Sequence, residues 1–166
     1  MTGETLKTLI DDYIAFESRA KQFIASKGEA RVCSIFDALF VLGGLEKYFV
    51  SKPVRAQREV QTLAGRVDRL LHHEDGSVTA VEVKDHGYSR DIATGIGQAL
   101  LYATALRETL DANEIRPAIA IGMRGGKVNP WIEETCKKNG IVVIKIDLDM
   151  SKDIEVFYRA WLNIYD

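Results

Sequence analysis

The twenty residues Gly65-Arg66-Val67-Asp68-Arg69-Leu70-Leu71-His72-His73-Glu74-Asp75-Gly76-Ser77-Val78-Thr79-Ala80-Val81-Glu82-Val83-Lys84 decide the fold. On both sides of Glu74-Asp75-Gly76 the side chains follow a period of two, the pattern of strands in a sheet. Glu74-Asp75-Gly76 suits a three-residue hairpin loop, a type I turn followed by glycine in the left-handed position. That loop pairs His73 with Ser77. Counting back along the ladder, it sets Asp68 directly opposite Glu82, with Cβ atoms roughly 4.5–5.5 Å apart. A two-residue loop would put the two carboxylates on opposite faces. Val81 and Val83 then belong to the core, while Asp68, Glu82 and Lys84 share the other face beside the small Ala80. Charge inside a central strand is tolerated only when it is paired or bound to metal.

The neighbouring elements follow outward from this hairpin. Upstream, Arg55–Leu63 reads as another strand, so the three form a meander. Before it, Leu6, Leu9, Ile10, Tyr13, Phe16, Ala20, Phe23 and Ile24 recur at spacings of three and four, an amphipathic helix stopping near Gly28. A second helix is expected through Ile35, Leu39, Leu42, Leu45 and Phe49, closed by Pro53. Downstream, a polar loop precedes a helix from about Asp91 to Thr109, with Ile92, Ile96, Ala99, Leu100, Ala103, Leu106 and Leu110 on one stripe. Pro117–Met123 is a fully apolar strand, as expected where helices cover both faces. Asn129 and Pro130 mark a helix start and Gly140 its end. Ile141–Asp147 is a further buried strand, and Asp153–Tyr165 a closing helix. The order predicts an α/β fold, a mixed sheet with helices on both sides.

Composition narrows the function. At 166 residues, with 46% hydrophobic and 28% charged side chains, the chain can bury one core, which excludes disordered and fibrous classes. No apolar run reaches the roughly 18 residues of a membrane span. Glu4, Lys7, Asp11 and Asp12 stand where a signal peptide needs apolar residues. The net charge of −2 excludes an overall basic coat but leaves room for a local positive groove. Cys33 and Cys136 read as reduced core thiols, and no C-x-x-C exists to hold zinc or an iron–sulfur cluster. His72, His73 and His86 read as surface residues, and Gly125-Gly126-Lys127 as a surface turn rather than a phosphate-binding loop.

The chemistry rests on the acid–acid–lysine face. Its plain reading is a solvated sheet face with one acid paired to Lys84. Its sharper reading starts from repulsion: two nearby carboxylates require a proton or a cation between them. Hard oxygen ligands with no sulfur or imidazole nearby select Mg²⁺ or Mn²⁺. A lysine beside such an ion stabilises developing negative charge or holds an attacking water, which suits phosphodiester hydrolysis.

These motifs resemble the PD-(D/E)xK nuclease superfamily, in its branch of RecB-like and Cas4-like nucleases. Gly65-Arg66-Val67-Asp68-Arg69-Leu70 looks like the motif carrying the first metal-binding acid, and Glu82-Val83-Lys84 like E-x-K. Gln98-Ala99-Leu100-Leu101-Tyr102 matches the Gln-x-x-x-Tyr of the following helix, with Gln98 and Tyr102 on one side. The resemblance covers roughly residues 46–147. It implies a restriction-endonuclease-like fold with a helical part over 1–52, a catalytic core over about 53–147 and a C-terminal helix over about 153–165, all in a single domain. It implies Asp68, Glu82 and the Val83 carbonyl as metal ligands, Lys84 as the catalytic lysine, and Gln98 and Tyr102 as supporting or DNA-contacting groups. Many members add an acid from an upstream helix. Glu46 is the candidate here, with Glu17 and Glu59 as competitors. Arg66 and Arg90 are candidate phosphate contacts. The cluster-binding cysteines of Cas4-like members are missing, so Mg²⁺ or Mn²⁺ is expected without iron–sulfur. DNA is the expected partner, the location intracellular (cytoplasmic or nucleoid-associated), and a homodimer is in keeping with the superfamily.

Three functions compete. The first is a divalent-metal-dependent deoxyribonuclease. The second is a nuclease-fold module that binds nucleic acid or protein without cutting. The third, a metal-free hydrolase using two carboxylates as acid and base, is disfavoured because Lys84 would lower both pKa values rather than raise one.

Overall fold

The computed structural model describes residues 3–85, 89–125 and 127–165. His86 and Gly126, both named above, lie outside them. Helices α1 (Gly3–Ala25) and α2 (Gly28–Val41) lead through a 3-10 turn (Glu46–Tyr48) into the meander β1 (Pro53–Thr62), β2 (Gly65–His73) and β3 (Val78–Lys84). Then come α3 (Ser89–Arg107), β4 (Ile115–Met123), α4 (Pro130–Lys138), β5 (Val142–Asp147) and α5 (Met150–Tyr165). The five strands form one sheet in the order β1-β2-β3-β4-β5. The meander is antiparallel, and α3 and α4 make the crossovers that leave β3, β4 and β5 parallel.

Both sheet faces are covered. Phe23 of α1 and Val32, Ile35 and Phe36 of α2 pack on Val81, Val83, Ala118, Ala120, Ile144 and Ile146, with Ile154 and Tyr158 of α5 against the same cluster. On the opposite face, Tyr102, Ala103 and Leu106 of α3 cover Leu70, Val78 and Ala80. Ile92 of α3 and Cys136 of α4 join Ile119 and Ile121 there. Val81 and Val83 are fully buried, each contributing about 1.5–3 kcal/mol through its apolar area. Cys33 and Cys136 belong to clusters on opposite faces of the sheet.

The hairpin turns as its residues predict. The His73 N–H donates to the Ser77 carbonyl at 2.9 Å, and Gly76 takes φ +79°. Two local expectations fail. The second helix stops at Val41 instead of running to Phe49. Gly43 adopts φ +76°, and the Gly44 N–H caps the helix by donating to the Leu39 carbonyl at 2.8 Å. Leu45 still reaches the core, from a non-helical segment. His73 is buried, not superficial. Its ring bonds the Ser51 carbonyl at 2.9 Å and the Thr79 hydroxyl at 2.8 Å and meets the Phe49 ring edge-on. The segment before β1 folds across it. At the far end, Asn129 caps α4 by accepting from the Trp131 N–H, with Pro130 in the first turn.

Candidate active site

The β2–β3 ladder pairs His72 with Val78, Leu71 with Thr79, Leu70 with Ala80 and Arg69 with Val81. One step further sets Asp68 opposite Glu82. There the strands part, and a side chain replaces the ladder: the Asp68 carboxylate accepts from the Val83 N–H at 2.8 Å. Glu82 is only 4% exposed. Its Oε1 accepts from Lys84 Nζ at 3.0 Å, while its Oε2 is buried with no hydrogen-bond partner. Three of the expected residues therefore converge at the carboxyl end of β3.

Helix α3 lies directly on this group because Gly95 has no side chain. A Cβ there would stand 2.9 Å from Lys84 Cε and from Ile119 Cδ1. Gly122 serves the same end on β4, where a Cβ would come within 2.3 Å of the Asp85 carbonyl.

Burial and the repulsion of neighbouring carboxylates raise the proton affinity of both Glu82 and Asp68. Burial, then the charge of Asp68, pushes the Glu82 carboxyl up to about 7, against the pull of Lys84. Burial also raises Asp68, partly offset by the Val83 N–H and Lys84. Burial opposes the charge of Lys84, but its bond to Glu82 and the charges of Glu82, Glu29 and Asp68 outweigh this and hold its pKa above the usual lysine value. Lys84 is thus a fixed cation at neutral pH.

The acid that α2 brings beside Lys84 is Glu29, and Glu46 lies elsewhere. Glu29 stands in the first turn of α2, 3.9 Å from Lys84 Nζ, and burial raises its pKa. Glu46 lies on the 3-10 turn and pairs with Lys52 at 3.2 Å. The glycines that end α2 carry it away from the site. Glu17 pairs with Lys21 on α1. Glu59 faces Arg66 at 2.6 Å and Arg69 at 4.0 Å, and its charge still reaches Asp68. Asp85, unremarked in the sequence, follows Lys84 with a buried Oδ1 that has no partner. An opening of about 260 Å³ lined by Glu29, Lys84, Asp85, Asp91 and Thr94 leads from this end of β3 to solvent.

Gln98 and Tyr102 do meet, Gln98 Nε2 lying 3.3 Å from the Tyr102 hydroxyl. Tyr102 is buried against the backbone of Gly65, where it braces the start of β2. Gln98 keeps a buried Oε1 without a partner. Arg66, a candidate phosphate contact, would stand opposite Lys84 if the hairpin ladder ran on to it. Its exposed guanidinium turns to Glu59 instead, because β2 has left β3 by that point. Arg90 is exposed in the first turn of α3.

Among the described residues no three acidic, histidine or cysteine side chains already close around one point. The donor set that fits a hard divalent ion is two carboxylates, Asp68 and Glu82, with the Val83 carbonyl between Glu82 and Lys84. The unpartnered Glu82 Oε2 is the atom such an ion would satisfy. Burial pushes the Cys33 thiol up to about 12, which disfavours the thiolate that soft metals need.

Residues 4–138 match the sequence model of the PD-(D/E)XK nuclease superfamily. The fold is similar to the crystal structure of a repair endonuclease from Pyrococcus abyssi, with TM-score 0.50 and 18% identity over 68% of this chain and 45% of that one. It is also similar to the EndoMS–dsDNA2 complex, with TM-score 0.46 and 19% identity over 67% of this chain and 44% of that one. The chain thus spans less than half the length of either. No curated protein sequence matches. No helix of the described residues is long and apolar enough to cross a membrane.

Proposed function

The chain belongs to the PD-(D/E)XK nuclease superfamily, and from that premise we propose that it hydrolyses phosphodiester bonds in DNA with a divalent ion. Asp68, Glu82 and the Val83 carbonyl would hold Mg²⁺ or Mn²⁺. Bound there, the ion supplies Lewis acidity and a water of lowered pKa. The observation that carries the reading is the buried Glu82 carboxylate, held by Lys84 on one oxygen and unpartnered on the other. A structural ion pair has no need of a second, empty acceptor in the interior.

The side chains divide the work by charge. Lys84 stays protonated, so it cannot be the general base. It donates to the phosphate oxygens and offsets the negative charge that grows as water adds to phosphorus and the ester P–O bond breaks. Glu29 lies close enough to Lys84 to hold it and to accept a proton from an incoming water through the opening beside it. Arg90, and Arg66 once released from Glu59, are offered to neighbouring phosphates. Gln98 and Tyr102 support the strand that carries Asp68. The reading includes residues 1–166 acting as one nuclease-like domain within the cell, with self-association into a homodimer.

The test is direct. Cleavage of single-stranded, double-stranded and branched DNA is followed with Mg²⁺, with Mn²⁺ and with chelator. Cleavage that needs the ion and disappears in Glu82→Ala and Lys84→Ala supports the proposal. Cleavage that survives chelator or either substitution rejects it. Salt-dependent DNA binding without turnover under every ion replaces it with a non-cutting module.

A further inference from the structure

Arg69 follows Asp68 but faces the other side of the sheet. It is 5% exposed. Its guanidinium forks onto both oxygens of Asp37 on α2, Nε to Oδ1 at 2.7 Å and Nη2 to Oδ2 at 2.9 Å. The remaining nitrogen, Nη1, donates to the Asp68 carbonyl at 2.6 Å. The Asp68 carbonyl lies where β2 parts from β3 and where regular ladder bonds stop. The ladder on the other side is interrupted at the same level. The β1–β2 pairs run from Arg58–Arg69 to Val60–Val67 and skip the pair between them. Glu59, the residue skipped, has φ +52°, the one positive φ of a non-glycine among the described residues. The backbone at Asp68 is therefore released by both neighbouring strands, and a buried guanidinium takes their place.

We propose that Asp37 and Arg69 are positioning residues that hold the Asp68 carboxylate at its metal-binding angle, a role that rests on the function proposed above. The fork uses planar geometry that lysine does not reproduce. Arg58 shares the same Asp37 at 2.9 Å, but among the described residues it makes no bond to Asp68. This separates two roles: Arg69 acts on the strand kink, while Arg58 only neutralises the aspartate. A cavity of about 850 Å³ on this face is lined by Asp37, Arg58 and Arg69 among others, so a small cation can reach the pair from solvent.

The experiment uses the full chain with Arg69→Lys, Arg69→Ala, Asp37→Asn and, as control, Arg58→Ala. Three readouts are taken: Mn²⁺ affinity by titration calorimetry, kcat for DNA cleavage at saturating Mn²⁺, and hydrogen exchange at the Val83 amide, which the Asp68 carboxylate holds. Loosening an outer partner of a metal ligand typically costs about 10–100-fold in affinity. That loss is expected in Arg69→Lys and Asp37→Asn, with kcat at saturating Mn²⁺ near the parent value. Val83 exchange should quicken while Val81 exchange does not. Added guanidinium, well below denaturing concentrations, should restore Mn²⁺ affinity to Arg69→Ala. Parent-like Mn²⁺ affinity and Val83 protection in folded Arg69→Lys overturn the proposal, as does an equal loss in Arg58→Ala. If Arg69→Ala does not fold, Arg69→Lys and Asp37→Asn still decide. If the parent cuts no DNA under any ion, the functional reading fails, while Val83 exchange still reports whether Arg69 sets the Asp68 carboxylate.

Discussion

The Glu82 carboxyl makes the metal-free protein less stable as pH rises, and a divalent ion should reverse this. In the folded state Glu82 titrates at about 7, against an ordinary value of 4.5, with burial as the main cause and Asp68 next. Between those two pH values the native state holds more proton than the unfolded chain. Stability is therefore greatest below pH 4.5 on this account and falls as pH climbs towards 7. At roughly 1.4 kcal/mol for each pH unit of that interval, the cost at pH 8 is about 3 kcal/mol. For a chain of this length, that corresponds to roughly 8 °C in Tm. Asp68 and Glu29, both raised, add with the same sign. Lys84 is raised above an already high value and contributes nothing over this range. The assay is thermal unfolding in chelator from pH 5 to 8, for the parent and for Glu82→Gln, so that titrations not coupled to Glu82 cancel in the difference. Glu82→Gln should lose the part of the slope that Glu82 supplies, keeping that of Asp68 and Glu29, and be more stable than the parent at pH 8. Adding Mg²⁺ or Mn²⁺ should raise the parent's Tm strongly at pH 8 and little at pH 5.5, and should do little for Glu82→Gln. A parent as stable at pH 8 as at pH 5, relative to Glu82→Gln, would refute the burial argument. An ion-induced shift of the same size in both proteins would refute the metal assignment.

Lys84→Met should cut cleavage by about 10²–10³-fold, the scale of losing one preorganised charge stabiliser, while Mn²⁺ affinity by calorimetry is kept or improved because no cation competes for Glu82. Glu29→Gln should lower kcat, whereas Glu46→Gln, which loosens only an exposed pair with Lys52, should leave kinetics and Tm within error of the parent. Gly95→Ala should separate stability from activity: the helix gains about 1 kcal/mol in propensity, but the new methyl, 2.9 Å from Lys84 Cε, displaces the lysine, and a shift of about 1 Å can cost about 10²-fold in kcat. An equal loss of Tm and kcat in that variant would assign Gly95 to folding alone.

What could be read from the residues follows the range of the forces involved. The face shared by Asp68, Glu82 and Lys84 came from one local object, the Glu74-Asp75-Gly76 loop, because a period of exactly two transmits register along the whole hairpin. The crossover strands were equally legible, since burial on both faces leaves continuous apolar runs such as the one ending β4. Glu29 was not legible, because its role depends on which end of α2 crosses the sheet beside Lys84, and that is set by long-range packing of Val32, Ile35 and Phe36 on Val81 and Val83. An apolar period extended across Gly43 and Gly44 puts Glu46 on the second helix; those two glycines end the helix, although Leu45 beyond them keeps its place in the core. The same reasoning explains Arg69. In the one-dimensional chain it is the residue after an acid, with an apolar neighbour. Only the pairing of opposite sheet faces shows a buried guanidinium meeting Asp37 from a helix 32 residues away. Side chains whose partners are fixed by a turn can be deduced from spacing; those whose partners arrive from another layer need the layers assembled, and in this protein the residues around Asp68 and Glu82 are mostly of the second kind.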